Sequence, residues 1–254
     1  MKINDQLVLV TGAGRGLGEA IARAFHGAGA DVVINYRRSK EAAERVIEEL
    51  GPERAFAIQA DVTNATQVKA MFDLARGEFG KPVSTLVNSA LPDFSFNGDE
   101  RPKAADISWE AMAAQLEGSV RGTLNTVQTA LPAMKEQSFG RIINIGSNLF
   151  QFPVVPYHDY TAAKAALLSL TRTLSADLGP EGITVNMVSG GLLRTTDASA
   201  ATPEAVFDMI AENTPLRRVT TPAEFADAVL FFASPWARAV TGQNLIVDGG
   251  LVKG

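Results

Sequence analysis

Ser147, Tyr160 and Lys164 have the residue types and the spacing for proton transfer at an oxygen atom. Tyr160 and Lys164 stand four apart at the start of a helical pattern, so a phenol and an ammonium share one helix face and can point into one cleft. A carbonyl that accepts hydride develops alkoxide character and needs a proton source and hydrogen-bond donors at its oxygen. Tyr160 can supply the proton and Ser147 a donor. A free phenol has a pKa of about 10, too high for base work in the oxidative direction, and a nearby cation such as Lys164 favours the phenolate. The lysine's three donors also suffice to hold a ribose. Tyr157 is followed at four residues by Thr161, which is no cation, so Tyr160 is the expected acid. A Tyr and a Lys at this spacing also occur as an ordinary surface pair, and it is the serine that adds weight.

Short apolar, β-branched runs alternating with helical patterns must position these side chains, and such alternation predicts βαβ units and a parallel sheet. Strands are expected at Leu7 to Thr11, Val32 to Tyr36, Ala55 to Ala60, Thr85 to Asn88, Arg141 to Gly146, Thr184 to Val188 and Asn244 to Val247. Helices are expected at Gly16 to Ala28, Lys40 to Leu50, Ala65 to Glu78, Trp109 to Lys135, Tyr160 to Leu178 and Pro222 to Phe232, with Ser39 and Asn64 as caps. The reading is a single α/β domain over residues 1 to 254, a doubly wound, seven-stranded parallel sheet flanked by helices. Leu91 to Asp106 and Gly190 to Pro203 look irregular and lie just beyond strand ends, where ligands bind in open sheets of this kind.

Leu7 to Thr11 runs directly into Gly12, Ala13, Gly14, Arg15, Gly16, Leu17 and Gly18, and a helix follows. A diphosphate needs close backbone amides, a turn that exposes them and a helix N-terminus facing the negative charge, although such a turn can also merely join strand to helix. An acidic residue at the end of the second strand would bond the ribose hydroxyls of NAD, whereas Arg accommodates a 2′-phosphate. That strand ends Asn35, Tyr36, Arg37, Arg38, with Arg15 expected close by. The pattern predicts NADP(H), unless Arg37 and Arg38 are only solvated loop cations.

The totals exclude other classes. A formal net charge of -5 without a run of Lys and Arg argues against a nucleic-acid partner. Cysteine is absent, which excludes disulfides and thiolate chemistry and makes a reducing cytoplasm the expected home. Only His26 and His158 are present, so no metal site is expected. The most apolar segment, Ala226 to Trp236, is too short to span a bilayer, and no membrane span is expected.

With these motifs in order, the chain resembles the short-chain dehydrogenase/reductase family along essentially its whole length. TGAGRGLG from Thr11 to Gly18 matches the family's TGxxxGxG, Ser147 stands thirteen before Tyr160, and YTAAK from Tyr160 to Lys164 matches YxxxK. The C-terminal GQNLIVDGG is similar to that of 3-oxoacyl-carrier-protein reductases. The resemblance implies a Rossmann-type fold, and it implies cofactor contacts at Gly12, Gly14, Arg15, Gly16, Leu17, Gly18, Tyr36, Arg37, Asp61, Val62, Asn88, Ser89 and Ala90. It implies further contacts at Tyr160, Lys164, Gly191, Leu193 and Thr195, with Asn186 in the segment that closes over the nicotinamide. A homotetramer built through the two longest helices is implied as well. Three positions depart from the pattern: the family's NNAG is Asn88-Ser89-Ala90-Leu91, its Pro-Gly after the sixth strand is Gly190-Gly191, and Ser119 replaces the helix Asn of a catalytic tetrad.

Three functions remain open to the sequence: a reductase of a 3-oxoacyl thioester or similar ketone, a dehydrogenase of a sugar, polyol or steroid alcohol, and an idle protein that senses NADP(H). Leu149, Phe150, Phe152, Leu192 and Leu193, with Phe94 and Phe96, line the expected cleft and favour an apolar ketone, unless they are ordinary packing. No basic patch for an acidic carrier protein is evident around Lys135, Glu136, Arg141 and Glu181.

Overall fold

The structure, a computed structural model, describes residues 1–92, 94 and 96–253. Its centre is a parallel sheet of β1 (Leu7–Val10), β2 (Asp31–Tyr36), β3 (Ala55–Gln59), β4 (Thr85–Asn88), β5 (Gly140–Ser147), β6 (Ile183–Gly190) and β7 (Asn244–Val247). The strand order is β3-β2-β1-β4-β5-β6-β7, so the winding reverses between β1 and β4. Parallel strands need crossovers, and helices supply them: α1 (Gly16–Gly27), α2 (Lys40–Leu50), α3 (Ala65–Phe79), α4 (Trp109–Leu116), α5 (Gly122–Glu136), α6 (His158–Leu178), α7 (Glu204–Asn213) and α8 (Pro222–Ala233).

Successive strand residues point to opposite faces, and here both faces are covered. Val8 and Val10 of β1 join Ile21, Phe25, Val46 and Phe225 on the side of α1, α2 and α8. Leu7 and Leu9 join Met71, Val127 and Met134 on the side of α3 and α5. That is why β1 reads as an uninterrupted apolar run.

The predicted strands are all present, with β5 and β6 longer than expected. One helical boundary differs in kind. The long helix expected from Trp109 is α4 and α5 joined through a π-helical turn, Glu117–Arg121, with Ser119 in its middle. Such a turn is a single wide turn inside an otherwise α-helical run, and no residue type marks it in the sequence. A second difference is α7, which no expectation covered, although Pro203 before Glu204 and the pair Phe207 and Ile210 have the form of a helix start with an apolar face. Asn64 caps α3 by accepting from the Gln67 amide at 3.1 Å, whereas the Ser39 side chain makes no cap bond.

Candidate active site

The site lies at the carboxyl ends of β1, β4, β5 and β6, around the reversal of strand order. The turn after β1 is held from two sides. Asn35 accepts from the Gly12 amide through its side chain at 3.2 Å and from the Ala13 amide through its carbonyl at 2.8 Å. Thr11 Oγ1 accepts from the Ser89 and Ala90 amides at 2.9 and 3.0 Å, locking the turn to the end of β4. Gly12 has a φ of 67°, and a Cβ there would stand 2.9 Å from the Ala90 Cα. At Gly18 a Cβ would meet the Gly12 carbonyl oxygen at 2.4 Å, so only glycine lets the first turn of α1 press onto the loop. A close-packed glycine turn leading into a helix N-terminus forms a cradle that fits a dinucleotide's diphosphate.

Beyond β2 and β3, Arg37, Arg38, Asp61 and Gln67 line a cavity of about 570 Å³ together with Met71 and Leu74. Arg37 Nη1 lies 3.8 Å from Asp61 Oδ2, while Asp61 Oδ1 accepts from Thr63. Burial works against ionisation of Asp61, but the Thr63 bonds and the Arg37 charge outweigh it and hold the carboxyl below its ordinary range. A carboxylate therefore does stand beside Arg37, brought by β3 rather than β2. Arg15 caps α1 with its backbone and sends its guanidinium to Asp197, 3.4 Å away in the segment after β6. Tyr36 is buried in the core beneath the turn, its Cβ near Gly14.

Ser147 ends β5, and Tyr160 and Lys164 lie on the inward face of α6, so the structure brings the three together. Tyr160 is 6% exposed and Lys164 4%. Burial pushes the phenol up to about 12, opposed only in part by a hydrogen bond from Ser147. Burial also lowers the Lys164 ammonium to about 8. The expectation that the lysine draws the phenol below its ordinary value is reversed here. Lys164 Nζ donates to the Ile145 carbonyl at 2.8 Å and lies 5.6 Å from the centre of the Tyr160 ring, so desolvation dominates.

An aromatic group covers Tyr160. The Phe94 ring stacks on it with centroids 4.5 Å apart, and Phe96 meets it edge-on at 5.6 Å. Tyr157, chemically idle in the sequence reading, anchors this wall, packing on both phenylalanines and accepting from the Gly98 amide at 2.8 Å. Arg101 lies over Phe94 at 4.5 Å and pairs with Asp159, the residue before Tyr160. The Phe96 amide donates to the Ala198 carbonyl at 3.4 Å, so the two segments expected to wall the cleft meet.

Other predicted residues have structural duties. Asn88 gives both ends of its amide to the interior, donating to Asn144 at 2.9 Å and accepting from Thr126 at 2.7 Å. Asn186 ties β6 to the approach to β7 through Val240 and Gln243, and so does not join the site. Val62 packs against Gly122 and offers its carbonyl to Asn125. Gly191 lies beside Asn148 and Asp248, Leu193 is buried with its carbonyl accepting from Ser199, and Thr195 is exposed. Leu149 and Phe150 follow Ser147 in a short helical turn, half-buried, with the Leu149 amide donating to Ser147; Phe152 is exposed. Ser119 is buried, and its Oγ has no hydrogen-bond partner among the described residues. The sequence reading missed Arg101 with Asp159 and the buried Asn148–Asp248 bond at 2.9 Å. The partners in these contacts lie 58 and 100 residues apart in the chain, so local pattern carries no signal of them. Among the described residues no cluster of three or more His, Asp or Glu forms a metal site, and no helix is long and apolar enough to cross a membrane.

The model of the family described as Enoyl-(Acyl carrier protein) reductase matches residues 12–252. The chain is 34% identical to the 3-oxoacyl-[acyl-carrier-protein] reductase FabG of Staphylococcus epidermidis over 97% of its length and 99% of the relative's. It is equally 34% identical to the 7alpha-hydroxysteroid dehydrogenase of Escherichia coli, over 100% of this chain and 96% of that one. Among solved structures, a gluconate 5-dehydrogenase from Burkholderia cenocepacia in complex with NADP and tartrate superposes with a TM-score of 0.87 at 29% identity, covering 98% of this chain and 96% of that one. The glycine cradle, the Ser, Tyr and Lys group and these full-length similarities lead to one assignment: the chain belongs to the short-chain dehydrogenase/reductase family, as an oxidoreductase acting on CH–OH and C=O groups.

Proposed function

We propose that the chain is an NADP(H)-dependent reductase of an apolar ketone, such as a 3-oxoacyl thioester, working as one domain within a homotetramer. The observation that carries this reading is the buried Tyr160 set beside Ser147 and walled by Phe94 and Phe96. An aromatic wall matches an apolar substrate better than a polyol. Arg37 and Arg38 in the cavity beyond β2 and β3 outnumber Asp61 and suit a 2′-phosphate, and a structural relative was solved with NADP.

When bound, NADPH supplies hydride to the carbonyl carbon. Ser147 donates a hydrogen bond to the carbonyl oxygen, and Tyr160 gives that oxygen its proton as alkoxide character develops. A phenol held at about 12 stays protonated at neutral pH, which is the form that reduction needs. Lys164 sets its positive charge beside the phenolate that remains. A second reading, oxidation of a bulky alicyclic alcohol, is favoured by the similarity to the hydroxysteroid dehydrogenase and by the same aromatic wall.

Steady-state kinetics with NADPH and NADH on a 3-oxoacyl thioester, a steroid ketone and a keto-sugar test the proposal. The expected preference for NADPH is about tenfold or more in kcat/KM, with the sugar poorest. Equal use of NADH overturns the cofactor assignment. A sugar preferred over both apolar ketones overturns the substrate class.

A further inference from the structure

Ser147 ends β5, and the side chain that follows it is tied to a residue 100 positions further along the chain. Asn148 is 4% exposed, and its Nδ2 donates at 2.9 Å to Oδ2 of Asp248, which is 6% exposed in the turn after β7. The sheet places β6 between β5 and β7, so this bond spans the end of the intervening strand. Gly191, just past β6, lies against the bridge. A Cβ there would stand 3.0 Å from Asn148 Nδ2 and 3.1 Å from Asp248 Cβ, so the absent side chain makes room for the pair.

The anchor end is held firmly. Asp248 Oδ1 accepts from the Gly250 amide and Oδ2 from the Val252 amide, each at 3.0 Å, so the carboxylate folds the turn around itself. That turn is pressed onto the end of α7. Gly249 has a φ of 73°, a Cβ on it would meet Thr214 Cγ2 at 2.5 Å, and its carbonyl accepts from the Leu216 amide at 3.2 Å. A carboxylate taken out of water needs such donors, and Asn148 supplies one of them.

At the other end, Asn148 opens the short helical turn Asn148–Phe150, its carbonyl accepting from the Gln151 and Phe152 amides at 3.0 and 2.9 Å. The next residue, Leu149, donates its amide to Ser147 Oγ at 3.2 Å. A hydroxyl has one proton and two acceptor positions. The Leu149 amide fills one acceptor position, which turns the proton away from the turn and toward a carbonyl placed beside Tyr160. We propose that Asn148, gripped by Asp248, is a positioning residue that fixes the Leu149 amide and through it the direction of the Ser147 hydroxyl. Asn148 acts through the serine and not on the substrate. A donor displaced by about 1 Å can cost on the order of a hundredfold in rate, so a bond one residue removed from the serine has kinetic weight.

The inference rests on the ketoreductase reading, and a double-mutant cycle separates the two. In the full-length protein, Asn148→Leu removes the amide at nearly constant size. At saturating NADPH, kcat for a 3-oxoacyl thioester should fall about tenfold, with NADPH affinity, read by fluorescence titration, little changed. In the Ser147→Ala background the same substitution should change kcat by less than about twofold, because the hydroxyl it aims is gone. A purely structural role would lower kcat by the same factor in both backgrounds, and that additivity overturns the proposal. So does an unchanged kcat in Asn148→Leu, or a loss that appears as weaker NADPH binding. Should Asn148→Leu fail to fold, Asp248→Asn takes its place in the cycle under the same criteria, since its amide must set a donor against a donor on one side or the other. A wild type inactive on every ketone, or indifferent to Ser147→Ala, sinks both readings. One that needs Ser147 but ignores Asn148 and Asp248 sinks only this one.

Discussion

Burial moves Tyr160 and Lys164 in opposite directions, and each shift has a consequence for rate. With the phenol at about 12 and the ammonium at about 8, both groups are protonated at neutral pH. Reduction uses both in that form. Lys164 is the first to lose its proton as pH rises, so kcat for ketone reduction should be level through neutrality and fall above pH about 8, which a pH series at saturating NADPH will show. Tyr160→Phe should abolish turnover while leaving NADPH binding, followed by fluorescence titration, nearly intact, because one hydroxyl and almost no volume are removed. Lys164→Ala should lower binding and turnover together. Ser147→Ala should cost on the order of a hundredfold in kcat, the scale of a lost oxyanion donor. Gly18→Ala acts on the cradle itself. A methyl 2.4 Å from the Gly12 carbonyl forces the turn and α1 apart, so NADPH affinity should drop at least tenfold, by about the 1.4 kcal/mol that factor represents.

At the scale of elements, the segment between β4 and α4 owes its position to a few contacts with the start of α6. Arg101 pairs with Asp159, which is buried and has its Oδ1 without a partner among the described residues. Arg101→Ala strands that carboxylate and should cost about 2 kcal/mol, within the range for unsatisfied buried groups. Thermal unfolding should then shift down by roughly 4–8 °C, given the usual 2–4 °C per kcal/mol at this chain length. The aromatic wall rides on the same segment. Phe94→Ala should raise KM for apolar ketones several-fold and leave NADPH affinity unchanged, a split that steady-state kinetics resolve. Periodicity and glycine placement made the strands and most helices legible, because β1 alternates between two buried faces and the turn after it has only one dense run of glycines. The π-helical turn at Ser119, by contrast, depends on how α4 and α5 settle against α6, and no local residue marks it.

For the whole molecule, the proposed tetramer places the exposed faces of the longest helices between subunits. Ala163 of α6 is fully buried and so cannot serve such an interface. Ala162, Ala166 and Leu170 stay half-exposed on α6, and Trp109 is 69% exposed at the start of α4. Light scattering at micromolar concentration should return four times the 26.9 kDa chain mass, and Trp109→Glu should lower that value. A monomer mass for the wild type would remove the claim.

The sequence by itself determined the α/β class, the seven strands, the glycine cradle and the trio of Ser147, Tyr160 and Lys164. Each of these is written in spacing along one strand, one turn or one helix face, where covalent geometry alone sets which side chains are neighbours. Only the tertiary structure decided which amides are free to meet a ligand and which are not. Asn88 and Asn186 look like site residues in the chain, but packing gives their side chains to Asn144 and Thr126, and to Val240 and Gln243. It likewise set Asp61 beside Arg37, stacked Phe94 on Tyr160 and tied Asn148 to Asp248. The protonation of the trio was decided there too. A sequence lists a phenol and an ammonium at their ordinary pKa values, and it is exclusion of water around the folded pair that drives one up and the other down.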